Sequence, residues 1–317
     1  MRDLVLAKQF KNSNIDFVSL NLDGNINQNI INSGHGLIIL NSNSVKELIS
    51  IILSKEIDLL IIDHYNIDYS FEKEIKDSTN VKILAFDDTY EQHCCDYLIN
   101  QNIHAKKSKY QNLIDRKCIL FCGIEYALLR EEFTQLKASQ SFLNPEEINI
   151  LVTLGGADSK NMTMVILDVL NQIVDIKYKA NIVIGKANQH LSIIQKVIEH
   201  NNKFKLIVDA KNMATLMNNS DLAIMAGGTT TIEALYLKLP FVTIMTAYNQ
   251  KENIVVLEKM GLSANIGSFD AFNKNDMACS LRVILKKLHL QKYLEKVKNI
   301  KIATSSIGKY FLAADKR

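Results

Sequence analysis

Two junctions in the second half of the chain carry the residue types that hold an anionic ligand without a metal. Leu151-Val152-Thr153-Leu154-Gly155-Gly156-Ala157-Asp158-Ser159-Lys160-Asn161 runs from an apolar strand pattern through paired glycines into a helical pattern. A strand ending in Gly-Gly before a helix presents backbone N–H groups and the positive end of a helix dipole, which suits phosphate. Taken alone, such a pair is equally a tight turn. Met225-Ala226-Gly227-Gly228-Thr229-Thr230-Thr231-Ile232-Glu233-Ala234 repeats the pattern and adds three hydroxyls. Glu233 sits where a carboxylate can accept from a ribose diol. A diphosphate has no use for a carboxylate, so the threonines and the glutamate suggest the two ends of one nucleotide. After Pro240 and the strand Phe241–Met245, Ala247-Tyr248-Asn249-Gln250-Lys251-Glu252-Asn253 opens another helix. The side-chain amides of Asn249 and Gln250 can bond phosphate or sugar hydroxyls. As simple N-caps, Thr229–Thr231 and Asn249 would have only a structural use. Three polar helix entrances in one region favour a nucleotide site built from Gly155, Gly156, Gly227, Gly228, Thr229, Thr230, Glu233, Asn249 and Gln250.

The elements that must position these residues follow an alternating β/α pattern from end to end. Strands are expected at Ile15–Leu20, Leu37–Leu40, Asp58–His64, Val81–Asp88 and Cys118–Gly123, several of them apolar almost throughout, as suits a parallel sheet covered on both faces. Ser44–Glu56 reads as an amphipathic helix with Ser44 as N-cap and Glu47 completing a capping box. After the helical segment Glu131–Asn144, Pro145 precedes a restart of the pattern. Further strands are expected at Ile148–Leu154, Ala180–Ile184, Phe204–Asp209, Leu222–Ala226 and Phe241–Met245. The expected fold class is α/β, with two Rossmann-like domains over 1–145 and 146–317, parallel sheets facing a cleft, and a basic C-terminal helical segment.

Composition narrows the class. The chain has 317 residues, 47% hydrophobic and 22% charged, with a formal net charge of +3, which excludes a disordered or fibrous chain and demands no nucleic-acid partner. From Lys286 to Arg317 there are nine Lys/Arg against two acids, a basic end read as a solvated helix face. No apolar run reaches the ~18–20 residues that a membrane crossing needs, and the start lacks a signal-peptide core, so a cytoplasmic protein without stable membrane insertion is expected. The five cysteines, Cys94, Cys95, Cys118, Cys122 and Cys279, have no zinc-ribbon spacing and read as free thiols. No cofactor and no metal are expected.

The second-half motifs, Gly-Gly-Thr-Thr-x-x-Glu-Ala-x-x-x-x-x-Pro followed by Asn-Gln-x-Glu-Asn, resemble the donor-binding half of GT-B glycosyltransferases over roughly residues 150–265. The first half adds Leu59-Leu60-Ile61-Ile62-Asp63-His64-Tyr65, Ile83-Leu84-Ala85-Phe86-Asp87-Asp88, Cys94–Asn100 and Phe121–Phe133 in order. With these, nearly the whole chain is similar to the UDP-2,4-diacetamido-2,4,6-trideoxy-β-L-altropyranose hydrolase family of pseudaminic acid biosynthesis. The resemblance implies a GT-B-like UDP-sugar hydrolase, monomeric, serving nonulosonic acid synthesis and flagellin glycosylation. Water replaces the sugar acceptor at the anomeric carbon, and UDP, a stable leaving group, needs little protonation. Helix N-termini and hydroxyls can stabilise the departing diphosphate without an obligatory metal.

In that family a strand and a Gly-rich loop ending in Gly-His precede the helix found here as Met1–Lys8, and that histidine is the proposed base. Met1 is therefore expected to be an internal methionine, and no residue of this chain is named as the base. The missing strand would be central to a doubly wound sheet, so its two neighbours are expected to lack a ladder partner. Tyr65 is implied to assist catalysis by positioning the sugar or the attacking water, the alternative being a tyrosine that caps a core strand. Of Asp63 and His64, at most one can point the same way as Tyr65. A nucleotide-sugar glycosyltransferase, or a truncated chain that binds UDP-sugar without turnover, is the alternative reading.

Overall fold

The computed structural model describes residues 1–22, 25–136, 146–286, 295–300, 302 and 307–314. They form two compact units, Met1–Leu129 with the C-terminal stretch from Ala303, and Arg130–Ile302. The division falls before the segment Arg130–Leu136 and not near Pro145, which lies outside the described residues. The reason is local: the short helix that begins at Glu131 packs on elements of the second unit. The C-terminal stretch likewise joins the first unit and not the second, through a helix, Ile307–Ala314, whose Ile307 is buried in the first unit's core.

In the first unit, helix α1 (Arg2–Ala7) leads to β1 (Asp16–Leu20), α2 (Asn27–Asn32), β2 (Gly36–Leu40), α3 (Val45–Ser54), β3 (Leu59–Ile62), α4 (Tyr69–Ser78), β4 (Lys82–Phe86), β5 (Tyr97–Asn100) and β6 (Ile119–Cys122). All pairings are parallel, in two ladders ordered β1-β2 and β3-β4-β5-β6. Among the described residues β1 and β3 share no ladder. β1 has no buried residue and β3 only Ile62, whereas Ile83, Leu84, Ala85 and Phe86 of β4 are all buried. The alternation of strand side chains divides the core. Leu60, Ile62, Ile83, Ala85 and Leu98 pack with Leu48, Ile52 and Ile75 of α3 and α4. Leu59, Ile61, Leu84, Phe86 and Ile99 pack with Leu6 of α1, Ile307 and Phe311.

The second unit runs α5 (Glu131–Thr134), β7 (Ile148–Thr153), α6 (Met162–Asn171), β8 (Tyr178–Ile184), α7 (Leu191–Glu199), β9 (Phe204–Val208), α8 (Met213–Asn218), β10 (Leu222–Ala226), α9 (Thr230–Tyr236), β11 (Phe241–Met245), α10 (Lys251–Lys259), β12 (Asn265–Ser268) and α11 (Lys274–Leu285). Its six parallel strands are ordered β12-β11-β10-β7-β8-β9. Counted from β7 this is the doubly wound order 3-2-1-4-5-6, whose switch point lies between β7 and β10. Ile150, Val152, Ile182, Ile224 and Val242 face α6, α7 and α11 on one side. Leu151, Ala223, Met225 and Phe241, the alternate residues, are equally buried. No helix among the described residues is long and apolar enough to cross a membrane.

One expectation needs correction. Ser44 stands at the N-cap of α3 but makes no side-chain cap bond, and Glu47 instead accepts from the backbone and side-chain nitrogens of Asn41 at 3.2 and 2.9 Å. The capping box is replaced by a clamp on the preceding turn.

One close approach is fixed by glycine. The Gly185 amide donates to Gly156 O at 3.0 Å, and a Cβ on Gly185 would lie 2.9 Å from that oxygen and 3.0 Å from Gly156 Cα. Gly185→Ala must therefore push two backbone segments apart, and a loss of about 1–3 kcal/mol is expected in chemical denaturation. An unchanged midpoint would mean that the two turns separate freely.

Candidate functional site

The switch point of the second sheet brings both Gly-Gly junctions to adjacent strand ends, because β7 and β10 are paired in register with Thr153 opposite Met225. Gly155 has a φ of +93°, a conformation that favours glycine, and turns the chain away from β7. The start of α6 is not open to a ligand as expected. The buried Asp158 carboxylate accepts from the amides of Met162 and Thr163 at 2.9 and 2.8 Å, so the chain supplies its own anion there. Gly155 and Gly156 line the switch point, but the dipole end behind them is capped.

The β10–α9 junction is different. Thr231, the third threonine, is buried and donates to Gly228 O at 2.7 Å, locking the turn. The hydroxyls of Thr229 and Thr230 have no hydrogen bond among the described residues, and Thr229 is exposed. Of the first-turn amides, those of Thr231 and Ile232 already donate to Gly228 O and Thr229 O at 3.1 and 3.0 Å. Asn253, buried on α10, donates to Gly227 O at 2.8 Å and so ties the β11–α10 junction to the β10–α9 turn. Gln250 is used within its own loop: its Oε1 accepts from the Thr246 amide at 2.9 Å and its Nε2 donates to Thr246 Oγ1 at 3.0 Å. It shapes the loop that presents the exposed Asn249.

Glu233 lies in the first turn of α9, and its carboxylate is held by Arg130, Nε to Oε1 at 2.9 Å and Nη2 to Oε2 at 3.1 Å. Burial raises the Glu233 pKa, with Arg130 acting against that rise. Arg130 and Asn253 were not among the sequence candidates. Both stand inside the motifs that carry the resemblance, which was the signal available.

In the first unit, Tyr65 donates to Asp88 Oδ2 at 2.9 Å. Arg2 bridges two carboxylates, Asp63 through Nε and Nη2 at 2.8 and 2.6 Å and Asp88 through Nη1 at 3.0 Å, with its guanidinium 4.5 Å from the Phe86 ring centre. Asn102 adds a bond to Asp88 Oδ1 at 2.7 Å. Asp63 and Tyr65 thus join one network, while His64 turns aside, its Nδ1 accepting from the Asn66 amide at 3.2 Å. Burial opposes ionisation of Asp88, but Arg2 and the bonds from Asn102 and Tyr65 outweigh it and hold the pKa below the ordinary value. Burial and the neighbouring Asp63 charge push Asp3 up to about 6.

A parallel sheet with glycine turns and free hydroxyls at its switch point is the architecture of a nucleotide-binding α/β protein. Residues 149–275 match the Glycosyltransferase family 28 C-terminal domain. The fold is similar to MurG from Acinetobacter baumannii, with a TM-score of 0.66 at 13% identity over 100% of this chain and 95% of that one. It is equally similar to the S. aureus MnaA–UDP co-structure, with a TM-score of 0.66 at 12% identity over 100% and 94%. The class is GT-B-like. The chain is 38% identical over 260 residues to the UDP-2,4-diacetamido-2,4,6-trideoxy-β-L-altropyranose hydrolase of Campylobacter jejuni, covering 82% of this chain and 90% of the relative. The spore coat polysaccharide biosynthesis protein SpsG of Bacillus subtilis is 28% identical over 219 residues, 68% of this chain and 64% of that protein. The chain belongs to the UDP-2,4-diacetamido-2,4,6-trideoxy-β-L-altropyranose hydrolase family.

Asp88 fixes Arg2 and Tyr65 together, so Asp88→Asn is expected to cost about 2 kcal/mol at neutral pH. Because the folded-state pKa is depressed, the wild-type advantage is present above the ordinary carboxylate range and shrinks as pH falls below about 4. Parallel thermal melts at pH 7 and pH 3 check this; a difference no smaller at pH 3 than at pH 7 would assign it to something other than the charge.

Proposed function

We propose that this chain hydrolyses a UDP-linked 2,4-diacetamido-2,4,6-trideoxy sugar to UDP and the free sugar, in the cytoplasm and as a monomer, supplying a nonulosonic acid used in flagellin glycosylation. The observation that carries the reading is the β10–α9 junction of a hydrolase-family chain, where the Thr229 and Thr230 hydroxyls stand uncommitted one turn from Glu233. The hydroxyls suit the diphosphate, and the carboxylate suits the ribose diol. Asn249 is assigned to the sugar side, and Gly155, Gly156, Gly227 and Gly228 keep the backbone free of side chains around the nucleotide. Gln250 acts through its loop.

In the reaction, water attacks the anomeric carbon, the bond from that carbon to the β-phosphate oxygen breaks with its electron pair leaving on UDP, and the attacking water gives up one proton to solvent. UDP is stable as an anion, so donors that meet its growing charge accelerate departure more than a proton would. Tyr65, anchored on Asp88, is assigned to positioning the sugar or the water. Its anchor is the reason to expect a defined orientation from a side chain that is 68% exposed.

Incubation with the UDP-sugar in ¹⁸O-water and without acceptor should yield UDP and free sugar in equal amounts, with label on the anomeric hydroxyl and none on UDP. UDP release that requires an added acceptor would replace hydrolysis by transfer. For the donor site, Glu233→Ala should weaken UDP binding by about 1–3 kcal/mol. Unchanged affinity by calorimetry in a folded variant would remove the ribose role from Glu233.

A further inference from the structure

Arg130 is the N-cap residue of α5, and its guanidinium is fixed from three directions. It lies 4.9 Å from the ring centre of the buried Phe133, it meets Glu132 Oε1 at 2.5 Å, and it forms the two-point contact with Glu233. Glu132 is itself anchored, its Oε2 accepting from the Ala214 amide in the first turn of α8 at 3.2 Å. Residues far apart in sequence therefore converge on one carboxylate. A guanidinium fork that takes one oxygen with each arm sets the plane of that carboxylate, and a carboxylate has about four acceptor positions, so two remain for other donors.

We propose that Arg130 is a positioning residue of the nucleotide site, holding the Glu233 carboxylate ionised and in the plane from which ribose hydroxyls reach its remaining lone pairs. The proposal rests on the reading of Glu233 as the ribose acceptor. Among the described residues, two charged side chains face Glu233: Arg130 and Glu132, both from the α5 segment. α8 contributes the Ala214 amide, which is spent on Glu132, and the neighbouring polar groups of α10, Gln250 and Asn253, carry no charge. With Glu233 half-buried and Glu132 beside it, Arg130 is the one group of the set that opposes protonation. Loss of its charge should move Glu233 towards the neutral acid as pH falls through the weakly acidic range, and a neutral acid accepts more weakly.

The test is calorimetric titration of UDP, 2′-deoxy-UDP and 3′-deoxy-UDP into the wild-type chain, Glu233→Gln, Arg130→Gln and Arg130→Lys between pH 5.5 and 8, each checked for folding by circular dichroism. The wild type should prefer UDP over the deoxy forms by about tenfold, and Glu233→Gln should lose that preference. Arg130→Gln should lose it to the same extent at pH 6 and recover part of it at pH 8. Arg130→Lys keeps the charge without the fork, so its preference should fall at every pH while its pH profile stays that of the wild type. Should Arg130→Gln fail to fold, Arg130→Lys decides by the preference alone. Wild-type preference and pH profile in the Arg130 variants would overturn the positioning role and leave the ribose reading of Glu233 intact. Equal wild-type affinity for UDP and both deoxy forms would overturn both. The second phosphate ionisation of the nucleotide falls near pH 6, but it is common to all four proteins and cancels in the comparison.

Discussion

Parallel strands cannot be joined by tight hairpins; each connection must cross a face of the sheet before the next strand can start. That constraint organises the second unit. Six strands all running the same way place every outgoing loop on one edge, and the reversal of direction at β7 and β10 separates the loops that follow them. Gly155–Gly156 and Gly227–Thr230 sit at those two strand ends for this reason, although more than seventy residues separate them in the chain. The faces of the sheet are covered by helices, so polar residues are driven to its edges, and there they meet.

Several of the polar groups that enter the interior of the first unit are linked to one another. Tyr110 donates to Asp87 at 2.6 Å and accepts from Asn100 at 2.8 Å, and Asn100 in turn accepts from Asn102, which reaches Asp88. Each buried acceptor in this series has a donor, which avoids the cost of an unpaired polar group there, whereas Asn161 Oδ1 and Asn253 Oδ1 are buried without one. The same economy explains Asp158, which satisfies two amides at the start of α6. It also sets the contrast between the two glycine junctions: one is closed by its own aspartate, the other keeps its outer hydroxyls.

Much of the fold was legible because most strands are uninterrupted apolar runs. Ile148–Thr153, Leu222–Ala226 and Phe241–Met245 lie within a residue of expectation. β5 and β12 were not expected. Tyr97-Leu98-Ile99-Asn100 has only two aliphatic residues, and Asn265-Ile266-Gly267-Ser268 has one, so neither stands out from a loop; both are strands because a neighbouring strand supplies the ladder. At the site, the residue types at Gly227–Glu233 were readable from their spacing. The partners of those residues were not. Nothing local in Arg130-Glu131-Glu132 announces that its first residue meets a carboxylate 103 positions later, or that Asp158 folds back on α6. Sequence patterns report which face a residue occupies; tertiary pairing decides whether its polar atoms are still available.

The helix Ile307–Ala314 has a further consequence. Phe311 packs on Phe10 with ring centres 5.4 Å apart and on Tyr97 at 4.7 Å, and the Gly308 amide donates to Gln9 at 2.9 Å. The second unit is thus an insertion within the first. During synthesis the earlier-made strands must wait for the final helix before that face of their core is covered, whereas Arg130–Ile302 is contiguous and can close its own sheet beforehand. Domains emerging from a ribosome usually mature in order from the N-terminus. Here the order of completion is inverted, and the half made first is the half finished last.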